Sequence, residues 1–256
     1  MNKDIKTDIK TRLLPAHELV SAAVRLGLTN MRYILPVSLA VFIPFNILLL
    51  FLPADFYQRV QDLEFMLKDS SAGIYVGFSW VILGLFAVFS ALAAAAISYI
   101  TVQSIEEKPI KLTELLDASL MRWGKLTYTA AIYFCFLFLS MPLIFPAFYF
   151  GVIFMFYPCI AAISSKYGFS ALIISRVLIK GRFWTGFFVF LLNVCVFLAM
   201  QSLVDTAQIL LGVSGSLFSA YCFNLLRMCM LAFSYIAVCL FYINAHYNFR
   251  GKETVK

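Results

Sequence analysis

Charge is the scarcest ingredient of this chain: 13% of its 256 residues are Asp, Glu, Lys or Arg, against 62% that are apolar. A soluble fold of this length cannot hide so much apolar surface or clothe itself with so few charges, so a soluble globular protein is excluded. Histidine is nearly absent, with His17 and His246 near opposite ends. No HExxH, GxSxG or Gly-Lys phosphate loop is present, and hydrolysis needs clustered carboxylates and histidines to hold a metal or move protons. Enzymatic chemistry, a metal and an organic cofactor are therefore not expected. The six cysteines, Cys135, Cys159, Cys195, Cys222, Cys229 and Cys239, contain no CxxC pair. That argues against a disulfide framework or zinc site and for small buried apolar residues. The short alternating segments of a membrane β-barrel are also missing.

What remains is apolar sequence in runs that reach the roughly 20 residues needed to cross a bilayer as helix. The fold class is all-α, and six spans are expected: Ile34 to Leu52, Ile74 to Val102, Thr127 to Phe145, Ala147 to Ser164, Trp184 to Leu203 and Phe218 to Ala245. Residues 1–33 form an N-terminal segment, 34–245 the membrane domain and 246–256 a tail. Pro142 and Pro146 in "SMPLIFPAF" each lack a backbone donor and predict a tight hairpin between spans three and four. Gly73, Gly77, Gly84, Ala87, Ala91, Ala94, Ala95 and Ser98 give span two a face of small residues suited to close helix approach, within the bundle or between two copies.

Lys and Arg fall unevenly along the chain. The N-terminal segment, the connections after spans two and four and the tail are basic, whereas the loop after span one carries Asp55, Asp62, Glu64 and Asp69 beside Arg59 and Lys68. The asymmetry predicts both termini on the cytoplasmic side. It also accounts for the formal charge of +7 without a nucleic-acid partner, since the basic residues flank spans and do not cover a soluble domain. No cleavable signal segment is expected, because the first apolar run begins about thirty residues in.

The cytoplasmic connections have helical periodicity of their own. Leu112, Leu115, Leu116, Leu120 and Trp123 recur on one side of "KLTELLDASLMRWGKL", opposite Glu114, Asp117 and Arg122. In "GFSALIISRVLIKGRFWTGFF" Arg176 and Lys180 share a face, and Gly181 is placed to end a helix before Arg182 and Trp184 enter span five. Leu19, Val20, Ala23 and Val24 offer a third apolar stripe. The resulting plan is an interfacial helix, a basic junction and an outward and returning span, used three times. Arg122, Lys125, Arg176, Lys180, Arg182 and Trp184 are the candidate contacts to membrane lipid or to a protein partner at the cytoplasmic face.

Several of these segments also carry a resemblance. A basic amphipathic segment before span one, the proline hairpin, "FYPCIAAISSKYGFSALIISRVLIKGRFWTGFF" and the ending "VCLFYINAHYNFRG" resemble the YciC-like bacterial six-span inner-membrane proteins. They also resemble the membrane domain fused to some glycerophosphodiester phosphodiesterases. Ala171, Leu172, Ser175, Lys180, Gly181, Arg182 and Trp184 match that family's connection before span five, and Tyr242, Tyr247 and Arg250 its aromatic ending. Pro146-Ala147 stands where the family usually has Pro-Gly, and its acidic residue before the last Arg is missing. The resemblance implies a bacterial inner-membrane protein and supplies no catalytic residues.

One charge interrupts the spans. Arg227 is nine residues into the sixth apolar run, about 14 Å from its start, where a cation needs a partner, water or a headgroup. Asp205 is the expected partner, with Gln201, Asn224, Asn193 and Gln208 as further hydrogen-bonding groups. A polar ligand cavity, an ion pair fixing spans five and six, or the Arg side chain snorkelling to the outer surface would satisfy it. Three classes follow from these readings. A non-enzymatic protein binding lipid or a partner and assisting an envelope or transport process fits best. The permease subunit of an ABC-type exporter or immunity transporter is the alternative, and an intramembrane enzyme ranks last.

Overall fold

The computed structural model describes residues 8–49, 51–52, 72–116, 119, 121–140, 143–210 and 217–253. Among them there is no strand, and ten helices follow one another: α1 (Ala16–Thr29), α2 (Met31–Leu49), α3 (Ala72–Glu106), α4 (Leu112–Leu116), α5 (Trp123–Ser140), α6 (Ile144–Ile153), α7 (Tyr157–Ser164), α8 (Phe169–Ile179), α9 (Phe183–Leu210) and α10 (Leu217–Glu253). Five stretches are long and apolar enough to cross a membrane: Met31–Leu49, Gly73–Glu106, Phe145–Ser164, Phe183–Val204 and Tyr221–Asn248. The expected third span, Thr127 to Phe145, instead folds as α5 and the start of α6. The 18 residues of α5 include Trp123, Lys125, Tyr128 and two threonines in their first two turns, and these lower its mean hydropathy.

The termini of the helices have local causes. Asn30 separates α1 from α2, its Nδ2 donating to Leu26 O at 2.9 Å while its Oδ1 accepts from Ser104 Oγ at 3.0 Å. Glu107, with φ 58°, turns the chain left-handed after α3, and Pro109 follows. Leu143 N donates to Ser140 O at 2.9 Å, Pro142 lies outside the described residues, and Pro146 falls in the first turn of α6, where its missing N–H has no intrahelical acceptor to lose. Gly168 is required by its backbone: φ is +60°, and a Cβ there would sit 2.8 Å from the Tyr128 ring. Gly181, φ +85°, ends α8 as expected.

A helix precedes each of α2, α5 and α9 in the chain, namely α1, α4 and α8. On α1 the buried stripe is Leu19, Ala22, Ala23, Leu26 and Gly27, one step round from the expected one, so Val24 is exposed. The α4 helix is described over five residues, and Asp117 and Leu120 lie outside the described residues. Trp123 belongs to α5 and is exposed rather than sharing a face with Leu115.

Packing is uneven along the bundle. The core gathers at one end, here called basal, where the residues from Ala91 to Ile105 of α3, Tyr157 to Ala161 of α7 with the preceding Phe156, and Ala232 to Ala245 of α10 meet α1 and α2. Ala91, Ala93–Ala96 and Ser98 are buried there. Gly73, Gly77 and Gly84 make no close approach, since a Cβ on any of them would meet no atom within 4 Å. Small residues draw helices together in the basal half of α3 only. The cysteines divide similarly: Cys159 and Cys239 are buried, Cys229 is half-buried, and Cys135, Cys195 and Cys222 are exposed, contrary to uniform burial.

Asn244 closes the basal end. It is fully buried; its Nδ2 donates to Ile9 O at 2.8 Å and Arg12 O at 2.7 Å, and its Oδ1 accepts from Leu14 N at 3.2 Å and Arg182 Nη1 at 3.4 Å. One amide thereby straps the N-terminal segment and the α8–α9 junction to α10. By comparison, the ion pairs of Arg12 with Asp8 and Glu18 are solvent-exposed and contribute little. Replacing Asn244 with Leu strands backbone groups whose loss costs about 1–3 kcal/mol each. We expect N244L to lower the thermal midpoint in detergent and to expose the segment before Ala16 to protease, while Arg12→Ala changes neither.

Candidate functional site

The fourth apolar stretch is not one helix. After Ile153 the chain makes a turn at residues 154–156 and restarts at Tyr157, with Pro158 at the start of α7. Proline has no N–H and favours a first-turn position, which accounts for the restart. The freed backbone groups are satisfied from outside: Ser175 Oγ on α8 accepts from Phe156 N at 3.2 Å and donates to Ile153 O at 2.7 Å. Nearby, Tyr157 N reaches Phe154 O at 3.1 Å. Ser175 is fully buried, on a face of α8 that also buries Ala171, Leu172, Leu178 and Ile179.

The break opens a cavity. A space of about 490 Å³ lies between α3, α5, the α6–α7 junction, α9 and α10, within the usual range for small-molecule sites. Gly151, Met155, Tyr157, Pro158 and Cys159 from either side of the turn form one wall. Trp80, Leu83, Phe134 and Phe138 form the rim; Leu83 and Phe138 are also exposed on the flank of the bundle, so the cavity communicates with that flank. Trp80 holds the rim with its ring edge-on to Phe138 at 4.4 Å and to Phe134 at 6.2 Å, a favoured aromatic arrangement. Polar groups are few: Ser90, Tyr133, Tyr157, Asn193, Ser234 and Tyr235. The Tyr133 and Tyr157 rings lie 5.0 Å apart. Asn193 Nδ2 is buried without a hydrogen-bond partner.

The residues singled out by sequence lie elsewhere. Arg227 is half-buried on α10, one turn from Asn224, and neither is among the described lining residues. Asn224 Nδ2 donates to Asn46 Oδ1 at 2.6 Å, and Asn46 Nδ2 to Phe42 O at 2.9 Å, so Asn224 ties α10 to α2. Gln201 is half-buried on α9. The side chains of Asp205 and Gln208 lie outside the described residues, so the expected pairing of Asp205 with Arg227 lies there too.

The basic candidates form two loci. Arg122 Nη1 donates to Ser165 Oγ at 2.6 Å, and Lys125 lies 5.4 Å over the Tyr167 ring, joining the start of α5 to the α7–α8 turn. Arg176, Lys180 and Trp184 are exposed along α8 and the start of α9. Arg182 is half-buried by Asn244, and burial pulls its pKa below the ordinary value. Glu114 accepts from Tyr99 Oη at 2.7 Å and Lys111 Nζ at 3.0 Å; these bonds hold its carboxyl below the usual range. The His246 ring stacks on Tyr242 at 5.7 Å, and no group of three His, Cys, Asp or Glu is gathered among the described residues.

Asn244, Asn46, Ser90 and the three cavity tyrosines escaped sequence reading, because hydroxyls and amides inside apolar runs are usually absorbed by their own helix. Pro158 within "FYPC" was the available signal for the break. No protein-family model, curated protein or solved structure matches the chain.

Ser175→Ala leaves Ile153 O and Phe156 N without their partner. We expect a loss of about 1–3 kcal/mol, read as a lower unfolding midpoint, whereas Ser170→Ala, on the exposed face of the same helix, leaves it unchanged.

Proposed function

We propose that this chain is a non-enzymatic integral membrane protein that takes lipid from the bilayer into its intramembrane cavity. It crosses the bacterial inner membrane six times with both termini cytoplasmic, and belongs with the YciC-like proteins it resembles. The observation that carries the reading is the cavity of about 490 Å³ with apolar walls whose rim residues Leu83 and Phe138 face outward on the bundle flank. In a bilayer that flank meets hydrocarbon, not water, so the first occupant available is a lipid chain. The exposed Arg176, Lys180 and Trp184 support the same placement. Two cations beside an indole suit the headgroup region of an anionic leaflet, where each Lys or Arg contributes about 1 kcal/mol. Holding a lipid in this way serves an envelope or transport process without a reaction of its own.

Lipid mass spectrometry of protein extracted in a lipid-preserving polymer tests the proposal. Near-stoichiometric lipid is expected to survive detergent exchange in the wild type. It is expected to be lost in Ala87→Phe and Ser234→Phe, which fill the cavity, with the monodisperse elution profile retained. Equal lipid in wild type and both variants would refute the reading.

A further inference from the structure

We infer that a second pocket, at the basal end between the α1–α2 junction and the end of α3, holds a zwitterionic phosphate ester of the phosphoethanolamine type, its phosphate against Arg32 and its ammonium group against Glu107. The pocket measures about 280 Å³, room for a lipid headgroup but not for acyl chains. The inference does not depend on the lateral cavity. Place in the bilayer is its first ground. Met31 opens one apolar stretch and Glu106 closes another, and Asn30 and Ser104, beside those two boundaries, are joined by a hydrogen bond of 3.0 Å. Both line the pocket, which therefore lies where two apolar helices leave hydrocarbon together, at the level of phospholipid headgroups. Unlike the cavity, it is lined largely by polar residues, Thr29 and Gln103 among them.

Charge is the second ground. The charged members of the described lining are Arg32, Glu107 and Lys108. Lys108 is already answered by Glu106, which lies outside the lining, with Nζ 2.6 Å from Oε2. Arg32 makes no ion pair among the described residues; its guanidinium lies 4.7 Å over the Tyr33 ring, a stacking that leaves its N–H edge for an oxyanion. Glu107 stands out on backbone grounds. Its φ is 58°, and Lys108 N donates to Gln103 O at 3.0 Å, the bond that closes a Schellman turn, whose left-handed position favours glycine. Backbone strain of this kind gathers at binding sites, and here it sets a carboxylate at the carboxyl end of α3, where the helix dipole also favours a cation. A ligand of one sign would be repelled by one of these two residues, whereas a monoanionic phosphate carrying an ammonium group satisfies both. At this depth the zwitterion at hand is a phospholipid headgroup; a soluble ester with the same two groups is separated from it by experiment.

Native mass spectrometry of the full chain in detergent tests the site. A phosphoethanolamine lipid and a phosphoglycerol lipid with the same short acyl chains are titrated in turn. The wild type is expected to bind the phosphoethanolamine lipid about fivefold more tightly. Glu107→Gly suits the left-handed turn, so it is expected to keep the thermal midpoint and lose the preference. Glu18→Gln, which removes the same charge outside the pocket, is expected to keep the preference. Arg32→Gln is expected to weaken both lipids about tenfold. Ala87→Phe, which fills the lateral cavity, is expected to leave the preference intact. Competition by soluble phosphoethanolamine names the source: displacement at a comparable midpoint means the soluble ester, and lipid retained under about a hundredfold excess means the headgroup. Equal affinity for the two lipids in the wild type, or a preference that survives Glu107→Gly, would overturn the inference. Loss of the preference in Ala87→Phe would overturn it too, by assigning the binding to the cavity, and would leave the lipid-binding reading standing.

Discussion

Hydrocarbon offers no hydrogen bonds, so a chain that crosses it must satisfy every backbone group from within. The rest of this structure depends on how that rule is met at one place, residues 153–157. There the helix is interrupted, and Ser175 supplies both the acceptor for Phe156 N and the donor for Ile153 O. An interruption in an isolated span would be costly; here it is stable because α8 lies against it with its small face, Ala171, Leu172 and Ser175, turned inward. The α8 helix thereby has two jobs on two sides. Its buried side repairs the broken span, and its exposed side carries Arg176, Val177 and Ile173.

The consequences spread in opposite directions along the bundle. Toward the basal end, α7 packs on α3 and α10 through Cys159, Ile160 and Ala161, with Ser98 Oγ 3.3 Å from Cys159 Sγ and Cys239 Sγ 3.7 Å from Ser98 O. Asn244 then seals the N-terminal segment onto that block. Away from it, α9 is little buried and the glycines of α3 face open space. The cavity occupies the level where tight packing gives way to loose packing, and Ser90 and Asn193 belong to its lining. A rigid floor beneath a loosely walled space is what a site needs if its ligand enters from the side.

The class and helical nature of the fold were legible because composition and long apolar runs report them directly. So was Gly181 as a helix terminator, whose constraint is local. The break at 154–156 was not, since Phe, Met, Phe and Tyr continue the apolar run without interruption and Pro158 alone suggests a restart; only the distant Ser175 makes the interruption tolerable. The α1 stripe was misplaced by one position because Ala22 and Gly27 are too small to announce a buried face, yet a Cβ at Gly27 would approach the Phe233 ring to 2.6 Å. The candidate site moved for a related reason. Arg227 attracts notice as the one charge in its run, whereas Ser90 and the tyrosines look ordinary until the fold places them around one space.

The central claim is that the space beside the broken span is continuous with lipid and closed to water. Spin labels at Ala87 and Ser234, with a control at exposed Arg176, would test it through collision with dissolved oxygen and with a water-soluble nickel chelate in reconstituted bilayers. The account predicts high oxygen and negligible nickel accessibility at the two cavity positions, with nickel reaching Arg176 alone. Strong nickel broadening at Ala87 and Ser234 would mean a water-filled path through the bundle and would contradict the account.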